Sequence, residues 1–318
     1  MLKVGIISSG QIAEAHIRGL QNLDYFQLQG IYDFDSKEQS PLQKKYHISH
    51  FNSLNELIDH CDVVDIIGED IPHFDIASQA LRKSCHVFID RPLMSSLPEA
   101  HKLIDLAFEA DVKVQIGRME RFNPAYILAF EHIHQPNYIE AKREQPITDN
   151  NPHVVLDMMI QDIDIILSLA NSGIKKIQAR GHGNSFGDLM MVNAHIVFDN
   201  GCIANLTSSK ITENTSAHMH IYQETDSLAI DLHNNRVQHF SLHSKEHKHK
   251  SYLLQNKETC KPIELELESF YNSIINDTTP NMSLVDGSQA LEVAYSILDR
   301  LAYWQDIKVE EPKLRFGN

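Results

Sequence analysis

The segment Leu2-Lys3-Val4-Gly5-Ile6-Ile7-Ser8-Ser9-Gly10-Gln11-Ile12-Ala13 runs from an apolar strand, through a glycine bend, into a helical pattern that continues to Gln21. A strand that hands over to a helix at a glycine opens a βαβ unit, and it gathers backbone N–H groups and the positive helix end at one spot. Against Gly-x-Gly-x-x-Gly/Ala the turn offers Ser8, Gly10 and Ala13, so the middle glycine is kept. That glycine lets the backbone approach a pyrophosphate. Phe26 to Tyr32 reads as the next strand, and Asp33 closes it 23 residues past Gly10. A carboxylate there holds a ribose 2′-hydroxyl and repels a 2′-phosphate. NAD is therefore expected over NADP, with Ser8, Gly10, Gln11, Ile12 and Asp33 as contacts.

Outward from this unit, short apolar runs alternate with helical stretches as far as Lys113 to Ile116, the signature of a doubly wound parallel sheet. Val63-Val64-Asp65-Ile66-Ile67 is apolar almost throughout, as a strand covered on both faces should be. After Phe122-Asn123-Pro124 the pattern changes. An apolar helix, Val154 to Ala170, precedes alternating strands, and two helices, Glu264 to Asn276 and Gly287 to Trp304, follow them. The expectation is an α/β chain with a dinucleotide domain over 1–122 and an α+β domain with a mostly antiparallel sheet over 123–318. A chain of 318 residues exceeds the roughly 250–300 at which single cores stop growing, which fits two domains.

Lys plus Arg total 28 against 43 Asp plus Glu, and a net charge of −15 repels phosphate backbones and anionic lipid. Nucleic acid and membrane are thus poor partners. No apolar run approaches the roughly 20 residues of a membrane span, and the N-terminus bends before a signal core could form, so a cytoplasmic protein is expected. The four cysteines lie far apart, which suggests reduced thiols. His218, His220, His243, His247 and His249 lack the spacing of a ligand set, so no metal is expected.

Three further segments resemble the Gfo/Idh/MocA family, the glucose-fructose oxidoreductase and inositol dehydrogenase relatives. Cys85-His86-Val87-Phe88-Ile89-Asp90-Arg91-Pro92-Leu93 is similar to its Glu-Lys-Pro strand end, and Gly117-Arg118-Met119-Glu120-Arg121-Phe122-Asn123-Pro124 to its interdomain link. Asp157-Met158-Met159-Ile160-Gln161-Asp162-Ile163-Asp164 resembles its Asp-x-x-x-His helix. The second and third segments look most like sugar-nucleotide 3-dehydrogenases. The resemblance implies a Rossmann domain and a nicotinamide at the carboxyl edge of the parallel sheet. It also implies a sugar or sugar-nucleotide substrate, and a homodimer or homotetramer built on the outer face of the second sheet. Gly68, Glu69, His73, Asp90, Arg91, Pro92 and Arg118 join the expected cofactor contacts; Arg121, Arg143, Asp157 and Gln161 are expected at the substrate.

In typical members the lysine and histidine of these motifs move the carbinol proton. Here Arg91 and Gln161 stand in their places, and neither collects a proton near neutral pH. Gly68-Glu69-Asp70 also replaces the family's Thr-Pro-Asn and puts carboxylates near an anionic cofactor. His153, four positions before Asp157, is the substitute acid–base candidate by its ordinary pKa, with Glu120 and Asp162 behind it; a loop histidine without a role is the competing account. Arg121 is either an anion contact or an interdomain salt bridge. Two functions stay open: an NAD-dependent oxidoreductase with altered acid–base groups, catalytic at Arg91, Asp157, Gln161 and His153, or a weakened paralogue that binds a dinucleotide or glycan intermediate.

Overall fold

The computed structural model describes residues 1–8, 13–34, 41–68, 71–90, 96–117, 119–147, 153–184, 188–243, 248–254 and 261–305. Five parallel strands, β1 (Leu2–Ser8), β2 (Phe26–Asp33), β3 (Val63–Ile67), β4 (His86–Ile89) and β5 (Val114–Ile116), form a sheet of order β2-β1-β3-β4-β5. The chain leaves β1 toward β2 on one side and enters β3 on the other, so the strand order reverses at β1 and opens a crevice beyond the carboxyl ends. Alternation within buried strands sorts their side chains to two faces. Ile7, Val64, Ile66, Val87 and Ile89 pack against α3 (Leu54–Asp59), α4 (His73–Leu81) and α5 (Leu97–Glu109). Val4, Ile6, Val63, Ile67 and Phe88 pack against α1 (Glu14–Asn22), against Leu42 of α2 (Pro41–Tyr46), and against α8 (Pro262–Ile275).

Helix α8 returns from far along the chain to cover this sheet. Leu267 and Phe270 enter its core, Asn22 donates to Glu264 at 2.7 Å, and the buried Gln115 amide donates to the Glu266 carbonyl at 3.2 Å.

The second sheet has eight strands: β6 (Tyr138–Glu144), β7 (Ile174–Gly183), β8 (Leu189–Phe198), β9 (Ile203–Ser209), β10 (Ser216–Tyr222), β11 (Asp226–Asp231), β12 (Arg236–His243) and β13 (Lys248–Leu254). Their order is β13-β12-β11-β10-β6-β9-β8-β7, antiparallel throughout except the β6–β9 pair. The expected architecture, a Rossmann sheet followed by a large mostly antiparallel sheet, is what the chain adopts. Inward residues such as Ile139, Ala194, Leu206, Met219 and Ile230 share one core with α7 (Ile160–Ala170) and α9 (Leu284–Gln305). α6 (Pro124–Phe130) starts on an Asn123 cap, whose side chain accepts from the Ala125 N–H at 2.9 Å. No helix among the described residues is long and apolar enough to cross a membrane.

Candidate active site

The carboxyl edge of the first sheet brings Ser8, Asp33, Gly68 and Asp90 together at the ends of β1 to β4. Ser8 sits in register between Asp33 and Ile67, at the point where strand order reverses. It is fully buried and its hydroxyl has no partner among the described residues; Asp33 is also buried. Gly68 leaves β3 with φ +134°, a conformation side chains other than glycine's rarely adopt, and so turns the chain away from the sheet before α4. His73 opens α4, buried, with Nε2 unpartnered among the described residues. Burial holds its pKa below the usual histidine range, so it stands neutral. Gly10, Gln11, Ile12, Glu69, Arg91, Pro92 and Arg118 lie outside the described residues.

From the end of β5 a 3-10 turn, Met119–Phe122, leads from this edge toward the second sheet. It carries Glu120 to a polar pocket of about 290 Å³, lined also by Arg143, Gln161, Ser216 and His233. Arg143 Nε and Nη2 face the buried Asp162 carboxylate at 3.1 and 2.8 Å, and Nη1 faces Glu120 at 2.9 Å. Burial works against this guanidinium's charge, but the two carboxylates raise its pKa further, so it stays protonated. Arg121 grips Asp164 with Nε and Nη2, both at 2.8 Å, and donates to the Asn281 carbonyl at 2.6 Å. The salt-bridge alternative for Arg121 is therefore the one the fold adopts. Arg143 lines the pocket, where a substrate anion would compete with Asp162 and Glu120.

The Asp157 helix begins with a π-helical stretch, Val154–Met159, continued by α7. His153 causes the start. Its Nδ1 accepts from the Val155 and Leu156 N–H groups at 3.2 and 3.1 Å, while the Asp157 carboxylate accepts from the His153 N–H. Each satisfies orphan donors of the helix end, as in a reciprocal capping box. The acid–base reading of His153 is thereby corrected: the nitrogen that would accept a proton is spent on its own helix. Partial burial of the ring, opposed by Asp157 and aided by Lys210, keeps it below the usual histidine range. His153→Ala should cost about 1 kcal/mol and His153→Asn only a fraction of that, in urea melts, because asparagine caps equally well. Gln161, one turn on, donates to the Asp157 carbonyl at 2.8 Å and leaves Oε1 for the pocket it lines.

A buried ion pair beneath the crevice, His16 with Asp65, is absent from the expectations above. The signal was present: one carboxylate inside an otherwise apolar buried strand requires a partner.

Residues 2–118 match the model of the Gfo/Idh/MocA oxidoreductase family, an NAD-binding Rossmann fold. Over 243 residues the chain is 26% identical to a UDP-N-acetylglucosamine 3-dehydrogenase of Acidithiobacillus ferrooxidans, spanning 74% of this chain and 76% of that one. It is 28% identical over 257 residues to a scyllo-inositol 2-dehydrogenase (NAD(+)) of Bacillus subtilis, 73% of each. The solved structure of the Acidithiobacillus dehydrogenase superposes with a TM-score of 0.87, over 95% of this chain and 98% of that one at 23% identity. The chain therefore carries the NAD-binding Rossmann domain of the Gfo/Idh/MocA oxidoreductase family.

Proposed function

We propose that the protein oxidises a hydroxyl of a sugar nucleotide, with residues 1–122 holding the dinucleotide and residues 123–318 the sugar. The carrying observation is the polar pocket of Glu120, Arg143, Gln161 and Ser216, joined to the strand-end crevice by the Met119–Phe122 turn. The crevice fits a dinucleotide: the orphaned Ser8 hydroxyl and His73 Nε2 are buried polar atoms that a ligand would satisfy. Bound NAD supplies the hydride acceptor. In this reading Asp33 takes the adenosine ribose hydroxyls, and Gly10, Gln11 and Ile12 the pyrophosphate. Asp90, Arg91 and Pro92 border the nicotinamide. Gln161 Oε1 accepts from a sugar hydroxyl, and the unpartnered Oε2 of Glu120 is available for a second. Arg143 and Arg121 hold the carboxylates around them and so fix the pocket's shape.

Gln161 does not titrate and His153 is a cap, and this favours a second reading, a ligand-binding paralogue with little turnover. NADH titration and UDP-sugar oxidation separate the two. The enzyme reading expects a rise of several degrees in Tm with NADH and NAD reduction with a UDP-sugar. Binding without turnover across a panel of such sugars supports the paralogue, and failure to bind either cofactor removes both. A homodimer or homotetramer on the outer face of the eight-stranded sheet, where Tyr138 and Tyr222 pair edge-on, is part of the same reading, as is a cytoplasmic location with reduced Cys61, Cys85 and Cys202.

A further inference from the structure

Between the first sheet and the helices α1 and α8 runs a polar seam that the proposed chemistry leaves unused. His16 on α1 is 5% exposed and Asp65, in the middle of β3, 1%. Around them the layer is built from Ile6, Ile17, Phe88 and Phe270. His16 Nδ1 lies 2.9 Å from Asp65 Oδ2, and His16 Nε2 lies 3.8 Å from Asp90 Oδ2. The imidazole also meets the Phe88 ring edge-on, with centroids 5.8 Å apart, which fixes its plane. Asp65 Oδ1 is buried with no partner among the described residues.

Asp90 ends this chain of charges at the crevice, with 22% of its side chain exposed. It crosses the end of β5 closely: a Cβ at Gly117 would lie 2.9 Å from Phe88 Cε1, 3.0 Å from Asp90 Oδ1 and 3.1 Å from its Cα, so a larger residue there would push on Phe88 and Asp90. Three carboxylates face His16: Asp65 from β3, Asp90 from the tip of β4 and Glu266 from α8. His73 of α4 faces Asp90 as well, but burial keeps it neutral. A neutral His16 would leave the buried Asp65 carboxylate facing no cation among the described residues, which an apolar layer strongly disfavours. Burial works against the charged ring, yet Asp65, Asp90 and Glu266 raise its pKa to about 9.

We propose that His16 positions Asp90: anchored on Asp65, its ring holds the Asp90 carboxylate turned toward the base of the cofactor crevice. This rests on the crevice being the NAD site. Asp90 is the group that meets the cofactor, and His16 is a positioning residue acting through it. Held in this orientation, the Asp90 carboxylate accepts a hydrogen bond from a cofactor hydroxyl or amide.

Histidine-labelled protein tests the linkage without cofactor. The His16 NMR signal, assigned by its loss in H16Q, should report a protonated ring at pH 7.5, and its midpoint should fall in D90N. Because the folded pKa lies above the unfolded value of about 6.5, the charge on His16 stabilises the fold fully below that pH and stops doing so as pH rises through about 9. NADH titration then reads the consequence. Wild type should bind with nearly constant affinity from about pH 5.5 to about pH 8.5. The doubly neutral H16Q/D65N, which keeps a hydrogen-bonded pair in place of the ion pair but no cation beside Asp90, should bind about tenfold more weakly across that range. D90N should be weak at every pH. A neutral His16 at pH 7.5, a midpoint unmoved in D90N, or wild-type NADH affinity in the double variant overturns the proposal while leaving wild-type NADH binding intact. Wild type that binds no NADH overturns the reading of the crevice, and the role of Asp90 with it.

Discussion

Arg143→Met is expected to destabilise the protein by about 3–5 kcal/mol, the cost of leaving a buried charge without its partner. Arg143 is 9% exposed and Asp162 3%, and the fork of the guanidinium meets both oxygens of that carboxylate. With the arginine gone, Asp162 must protonate or draw in water, and Glu120 loses the 2.9 Å contact that turns it toward the pocket. Arg143→Met with Asp162→Leu should recover most of the loss, since removing both partners removes the unpaired charge as well. Urea melts of the three variants near neutral pH measure this. A loss below about 1 kcal/mol in the single variant would show that the fork contributes no more than a surface pair does. The single variant should also lose activity beyond its loss of stability, because Glu120 and Gln161 share the pocket wall with Arg143.

Phe270→Ala should cost a similar amount, about 3–5 kcal/mol, through the cavity it leaves. Phe270 is fully buried and meets Phe88 edge-on, ring centroids 5.7 Å apart. Phe88 stands two residues before Asp90 in β4, so the cavity opens directly beneath the crevice floor. NADH affinity should fall along with stability. Phe270→Leu, which refills most of the volume, should restore the larger part of both. Denaturation combined with NADH titration of the two variants decides it, and an alanine variant with wild-type melting would mean that α8 collapses onto the sheet unaided.

Much of the first half was legible in the sequence because parallel strands and their crossover helices carry strong, short-range patterns. Strands β1 to β5 fall where the apolar runs place them, and Asp33 closes β2 as its spacing implies. In the second half the alternating strands are present as expected, but their pattern does not say which strands neighbour: β6 lies between β10 and β9, far from its sequence neighbour β7. The π-helical start of the Asp157 helix was hidden for a physical reason. Six apolar-rich residues cannot distinguish a 3.6-residue turn from a wider one, and the wider turn is set by the His153 carbonyl, which accepts from Asp157 and Met158 N–H groups at 2.9 and 3.3 Å. The partners of Arg121 and Arg143 were equally hidden. Asp164 and Asp162 lie on the same helix as Gln161, but only the fold says which carboxylate meets which guanidinium.

The return of α8 to the first sheet bears on how the chain acquires its structure during synthesis. A nucleotide-binding half made first would ordinarily be free to fold while the remainder is still being translated. Here one side of that half is covered only in part, by α1 and α2, until residue 275 has left the ribosome, because Leu267 and Phe270 complete it. The strands over 2–116 must wait, with the layer around Phe88 incomplete, for a contact more than 240 positions downstream of α1. Closing so distant a contact is slow, and during that interval the nascent polypeptide is most exposed to aggregation and most in need of a chaperone.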